Sequence, residues 1–253
     1  MSVAMMIALV LAVGVGLSLG AVGGGGAVLT LPILVYVAGF DVQESVAISM
    51  VVVGGTSLVA AVAAYRRGYF HAKAAALFAL TGMVTAYGGS SLTTAVSGRT
   101  LMLAFAVLMV GAGTAMLRQR PERHEGAQCR TWPCLGIGAT VGFLTGFLGV
   151  GGGFLIVPAL VLFAGIETRI AIGTSLAVIA FNALAGLAGQ IRHTSFDWPV
   201  ALAFLGFALA GMVAGLRVAQ RVSGTALRRA FALLILVLAV SIGVLTGLGG
   251  RLP

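Results

Sequence analysis

The stretch GGGGAVLTLP at residues 23–32 interrupts an apolar N-terminal segment, and it returns as GVGGGFLIVP at residues 149–158. Glycine costs about 1 kcal/mol relative to alanine inside a helix, so such a run disfavours continuous helix and lets the backbone approach a ligand closely. Close helix packing in a membrane explains a single run equally well. The duplication favours a functional break, in which exposed backbone forms a substrate or ion site.

The repeat extends over both halves of the chain at one constant offset of 126 residues. Shared apolar composition would produce coincidences of Ala, Leu and Val, but not of Pro, Ser, Arg and Phe. The matched pairs include Gly16/Gly142, Pro32/Pro158, Ser49/Ser175, Arg66/Arg192, Phe78/Phe204, Gly89/Gly215 and Phe105/Phe231. These residue types indicate an internal duplication of the kind found in transporters.

The composition is that of a membrane protein. The 253 residues are 60% hydrophobic and 8% charged, with a mean hydropathy of +1.12, which leaves too little charged surface for a soluble globule. The long apolar runs lack the polar–apolar alternation of barrel strands, so they indicate helices in contact with a lipid bilayer. The net charge of +9 comes from basic residues between the apolar runs, which points to membrane topology rather than to nucleic-acid binding.

The apolar runs predict the organisation of the chain. Residues 3–38 are too long for one span and are cut by the glycines, and the second piece, 27–38, is shorter than the ~20 residues that cross a bilayer. This pattern predicts a glycine-interrupted helical hairpin, and full spans are predicted to follow it. The first-half spans are 45–64, 74–95 and 101–117. We divide the chain into a first transmembrane repeat at 1–117, a cytoplasmic linker at 118–133 and a second repeat at 134–253.

The basic loops favour an inverted relation between the two repeats. In the first half the loops 66–73 and 118–123 are basic, whereas in the second half the basic loop is 217–229. The basic loop has therefore moved from the position after the second element to the position after the third, as inversion under the positive-inside rule requires. This arrangement gives about ten helices. The alternative, eight spans in parallel repeats, would leave the loop 217–229 and its four arginines outside.

With inversion, the two glycine breaks are expected to approach each other near the middle of the membrane. Helix N-termini carry unpaired N–H groups and about half a positive charge, so together they could hold an oxyanion without a buried arginine. Hydroxyl groups within the spans could complete the cavity, although such groups also commonly bond to carbonyls of helices. A buried carboxamide is harder to satisfy by accident. The candidate substrate-binding residues are Gly23, Gly24, Gly25, Gly26, Gly151, Gly152, Gly153, Ser49, Thr56, Thr174, Ser175 and Asn182.

The sequence offers no enzyme chemistry. It lacks paired carboxylates, a nucleophile beside a base, and metal-ligand spacing, so we expect neither a catalytic residue nor a metal or cofactor. No ionisable residue falls in the middle of a predicted span, which leaves a proton relay unsupported and disfavours a cationic substrate.

The duplicated glycine run ending in proline resembles the sulfite exporter TauE/SafE family of membrane permeases, as do the Gly-Phe-Asp and Gly-Ile-Glu loops at 39–41 and 165–167 and the Ile-Gly-Thr-Ser-Leu stretch at 172–176. The resemblance covers both halves and implies export of sulfite or an organosulfonate across a bacterial inner membrane. Ala47-Ile48-Ser49 stands where the second half has Gly173-Thr174-Ser175, so a symmetric site would be only approximate. Transport of a different small anion, or a scaffold role without transport, are the alternatives. A homodimer is compatible with the sequence, which does not determine the oligomeric state.

Overall fold

A computed structural model of the chain describes residues 3–22, 27–93, 95–118, 131–148, 153–162, 166–192, 194–219 and 224–247. Within these ranges the chain forms ten α-helices and no strand. Six of the described helices are long and apolar enough to cross a bilayer, which confirms the prediction of an all-α multi-pass membrane protein. The helices are α1 Val3–Val22, α2 Ala27–Pro32, α3 Val42–Arg66, α4 Ala72–Thr93, α5 Gly98–Arg118, α6 Thr131–Leu148, α7 Gly153–Leu162, α8 Thr168–Gln190, α9 Trp198–Ala219 and α10 Gly224–Gly247.

The segment after the first glycine run is short, as the sequence predicts. Pro32 lacks the N–H of a regular helix position, and from there α2 continues as a π-helical turn, Ile33–Val37. Gly39 then adopts a φ of +77°, in the left-handed region that favours glycine, and ends the segment. Asp41 caps α3 by accepting a hydrogen bond of 2.9 Å from the Gln43 N–H.

The first two helices form a hairpin. Met5, near the start of α1, and Val37, at the end of the π-helical turn, both pack against one buried apolar cluster, which includes Ala8 of α1 and Leu34 of the turn. The start of α1 therefore lies beside the end of the segment that follows the glycine run. The chain enters and leaves this hairpin at the same end of the helix bundle.

Glycines bring α1 against α9. A methyl group on Gly16 would overlap the backbone of Ala208, and one on Gly20 would overlap the Met212 carbonyl. Because both contacts advance in the same direction along the two helices, α1 and α9 run parallel. Their backbones touch without intervening side chains, which is typical of helix crossings in membranes.

The crossing of α6 with α4 repeats this arrangement. A methyl group on Gly142 would overlap the backbone of Gly82, and one on Gly146 would overlap the backbone of Ala86. The offset of 126 residues relates Gly16 to Gly142 and Gly20 to Gly146, and it relates Gly82 to Ala208 and Ala86 to Met212. The two halves therefore use the same close backbone contacts.

The central helices α3 and α8 are themselves related by the offset, and they run antiparallel. Gly173, near the start of α8, packs against the Tyr69 carbonyl just beyond the end of α3. At the opposite end, the backbone N–H of Asp197 donates to the carboxylate of Glu44, near the start of α3. A methyl group on Gly54, at the midpoint of α3, would lie 3.2 Å from the Ala183 Cβ. The helices α2 and α7 are also in contact, as are α5 and α10. In three offset-related pairs, therefore, the two helices of the pair contact each other across the interface between the halves.

Candidate functional site

The predicted glycine residues fall mainly outside the described residues: these are Gly23, Gly24, Gly25, Gly26, Gly151 and Gly152. Gly153 begins α7. The segments that follow the two glycine runs, α2 and α7, contact each other. The fold thus brings together the two corresponding helices that follow the duplicated glycine runs.

Three of the predicted hydroxyl groups bond within their own helices. Ser49, Thr56 and Ser175 each donate to a carbonyl three or four residues earlier, at 2.9, 2.6 and 2.8 Å. A hydroxyl group has one hydrogen, so a hydroxyl in this conformation cannot also donate to an anion. These residues would need to rotate to bind a substrate through that hydrogen.

Thr174 joins α8 to the beginning of α4. Its Oγ1 accepts a hydrogen bond of 2.9 Å from the backbone N–H of His71, the residue before α4. The Nδ1 of His71 in turn accepts from the Ala74 N–H at 3.2 Å. Unpaired N–H groups at a helix start need such partners, and here one of them comes from the other half of the chain. In the structure Thr174 therefore forms one of the hydrogen bonds that link the two halves.

Asn182 is the predicted residue whose buried polar atoms are unpaired among the described residues. Its side chain is 1% exposed, and neither Oδ1 nor Nδ2 has a hydrogen-bond partner among the described residues. It immediately precedes Ala183, which packs against Gly54 at the midpoint of α3, and so Asn182 lies near the middle of the bundle along the helix axes. Leaving a buried donor or acceptor unpaired costs about 1–3 kcal/mol, which makes this carboxamide the strongest indication of a bound polar group.

Further buried hydroxyl groups were outside the predicted set. Thr30 on α2 and Ser45 and Ser57 on α3 are at most 2% exposed, and their oxygens have no partner among the described residues. Thr30 belongs to the duplicated motif itself, which is the signal that could have found it. The Oε1 of Gln190 is likewise unpaired, while its Nε2 donates to Thr194 at 3.0 Å.

Charge is confined to the ends of the described helices. Every buried polar side chain of the described residues is uncharged, and no group of three His, Cys, Asp or Glu among them could hold a metal. Among the described residues, therefore, only neutral groups could donate to a buried anion.

The two ends of the bundle differ in charge. Helix α9 begins beside the start of α3, where Asp197 contacts Glu44. Its other end therefore lies at the same end of the bundle as the end of α3 and the start of α8. Arg169 there lies over the Tyr69 ring, 5.5 Å from its centroid. Basic side chains gather at this end, and three carboxylates gather at the opposite end with two arginines. The first group is Arg66, Arg67, Lys73, Arg118, Arg169 and Arg217, and the second is Asp41, Glu44, Asp197, Arg99 and Arg192.

Comparison with known proteins gives a consistent result. The model of the family described as sulfite exporter TauE/SafE matches residues 8–242. A "probable membrane transporter protein" from Xylella fastidiosa strain 9a5c is 33% identical over 234 residues, which cover 89% of this chain and 90% of that protein. The probable membrane transporter protein YdhB of Bacillus subtilis is 23% identical over 206 residues, 79% of this chain and 84% of its own length. No solved structure matches the chain significantly.

Proposed function

The chain belongs to the sulfite exporter TauE/SafE family, and on that premise we propose that it exports a small sulfur-containing oxyanion, sulfite or an organosulfonate. That it is a multi-pass membrane transporter follows from the family and from its relatives. The substrate and the direction of transport are the proposed part.

The observation that carries the proposal is the contact between α2 and α7. Each helix follows one of the glycine runs, so we propose that the first N–H groups of α2 and α7 face one ligand between the halves. The buried polar side chains are uncharged, and the Nδ2 of Asn182 supplies a further donor without a partner among the described residues. Neutral donors of this kind suit an anion that must be released again.

We further propose that the two repeats are inverted across the membrane, with the basic end of the bundle in the cytoplasm. The antiparallel packing of α3 and α8 supports the inversion, and the positive-inside rule supports the orientation. Single cysteines at Lys73 and Ser195, both exposed, test it in a background without native cysteines. A membrane-impermeant maleimide should label position 195 in intact cells and position 73 only after permeabilisation. Labelling of both from the same side would contradict the inversion.

Ligand-dependent stability tests the substrate class. A ligand that binds only the folded protein at 100 times its Kd stabilises it by about 2.7 kcal/mol. We expect sulfite or a sulfonate, but not chloride at equal ionic strength, to raise the melting temperature of the purified protein. Gly152→Val should remove this rise, whereas Gly206→Val should keep it, because nothing lies within 4 Å of a methyl group on Gly206. Absence of any sulfur-oxyanion effect on the native protein would favour the scaffold alternative or a different anion.

A further inference from the structure

Asn182 and Gly82 form a matched pair at the contact between α8 and α4. A methyl group on Gly82 would lie 2.5 Å from Oδ1 and 2.7 Å from Nδ2 of Asn182. Real Cβ atoms do not approach other atoms this closely, so the carboxamide fits in this position only because residue 82 is glycine. On its other side Gly82 packs against Gly142 of α6. The backbone of α4 thus forms one wall of the position that holds the carboxamide.

The offset-related positions carry different residues. The offset of 126 residues relates Asn182 to Thr56 and Gly82 to Ala208. Thr56 is fully buried, but its hydroxyl group donates to the Val52 carbonyl at 2.6 Å. The polar group of Asn182 is therefore unpaired among the described residues, whereas the hydroxyl group at the corresponding position of the first half is hydrogen-bonded. The polar site is asymmetric.

The carboxamide presents two different hydrogen-bonding groups. Nδ2 donates and Oδ1 accepts, and both lack a partner among the described residues. A fully deprotonated oxyanion has acceptors only, so it could pair with Nδ2 but would leave Oδ1 unpaired beside a negative charge. A monoanion that keeps one O–H group next to an S–O oxygen can form two parallel hydrogen bonds with the carboxamide.

We propose that Asn182 selects the protonated form of the substrate, hydrogensulfite, over the sulfite dianion and over sulfonates without a hydrogen-bond donor. This inference rests on the proposed function, because it assumes that the polar group bound at mid-height is the transported anion. Gly82 acts by leaving room for the carboxamide in the orientation that pairs with the ligand.

Methanesulfonate provides the matched probe. It is a monoanion with one methyl group and three S–O oxygens and no O–H group, so it can accept a hydrogen bond from Nδ2 but cannot donate one to Oδ1. At mildly acidic pH, where sulfite is mostly hydrogensulfite, the native protein should bind hydrogensulfite about 10- to 100-fold more tightly than methanesulfonate, since a buried unpaired acceptor is costly. Both affinities can be measured by ligand-dependent thermal shift of the full-length protein.

Asn182→Leu should bring the two affinities to within about threefold, because neither hydrogen bond remains. Thr145→Val is the control, since Thr145 is 2% exposed and donates to its own helix at 2.7 Å, and it should keep the native preference. The double variant Gly82→Ala, Asn182→Thr gives this contact the residues of the offset-related positions, Ala208 and Thr56. It should fold and also lose the preference, which provides a readout if Asn182→Leu fails to fold.

The outcomes separate the inference from the proposed function. If the native protein binds both probes equally, or if either Asn182 variant keeps the preference for hydrogensulfite, the inference is wrong while sulfur-oxyanion binding stands. If the native protein binds neither probe, the proposed function itself fails.

Discussion

The substitution Gly16→Ala tests whether α1 and α9 touch through their backbones. A methyl group on Gly16 would overlap the carbonyl group of Ala208, which is backbone and cannot swing aside as the tip of a side chain would. Extra atoms in a packed interior typically cost about 1–3 kcal/mol, and a rigid neighbour favours the upper part of that range. Alanine regains about 1 kcal/mol of helix propensity over glycine, so we expect a net destabilisation of about 1–2 kcal/mol.

Thermal unfolding of the detergent-solubilised protein measures this effect. For a chain of this size, 1 kcal/mol shifts the melting temperature by about 2–4 °C, so Gly16→Ala should lower it by about 2–8 °C. Gly14→Ala is the matched control on the same helix, because nothing lies within 4 Å of a methyl group there. It should leave the melting temperature unchanged or slightly raised. Equal shifts for the two variants would refute the close crossing of α1 and α9.

Two hydrogen bonds between helices lead to further predictions. Thr93→Val should lower stability by about 1–3 kcal/mol, because the Thr93 hydroxyl donates at 2.9 Å to the Phe147 carbonyl near the end of α6; a thermal shift below about 1 °C would contradict this role. Thr174→Val should cost about 1–2 kcal/mol by leaving the His71 N–H unpaired, whereas Thr174→Ser should restore most of the loss in the same melting assay. If serine and valine behave alike, the hydrogen bond to α4 is not what Thr174 contributes.

The spans of the first half were predictable because hydrophobic runs end where charge or turn residues begin. The predicted span 45–64 corresponds to Val42–Arg66, and 101–117 corresponds to Gly98–Arg118. The predicted second repeat begins at residue 134, but α6 already begins at Thr131. Pro133 is compatible with a first helical turn, where its missing N–H removes no hydrogen bond.

The candidate site was only partly predictable. Ser49 and Ser57 are both serines in one apolar helix, yet Ser49 donates to a carbonyl while the Ser57 oxygen has no partner among the described residues. Neighbouring helices decide such differences, and a single sequence does not reveal them. Asn182 could be singled out because a carboxamide cannot be satisfied by one carbonyl of its own helix. Its partner position Gly82 could not, since glycines are frequent throughout the chain.

Anion flux in proteoliposomes tests the central claim most directly. Vesicles loaded with sulfite should release it faster with the native protein than without it, and Gly25→Val and Gly152→Val should each reduce release to the protein-free rate. Gly206→Val should retain the native rate in the same assay, because the space beside it is open. Native-like sulfite release by both glycine-run variants would contradict a substrate site at the two breaks.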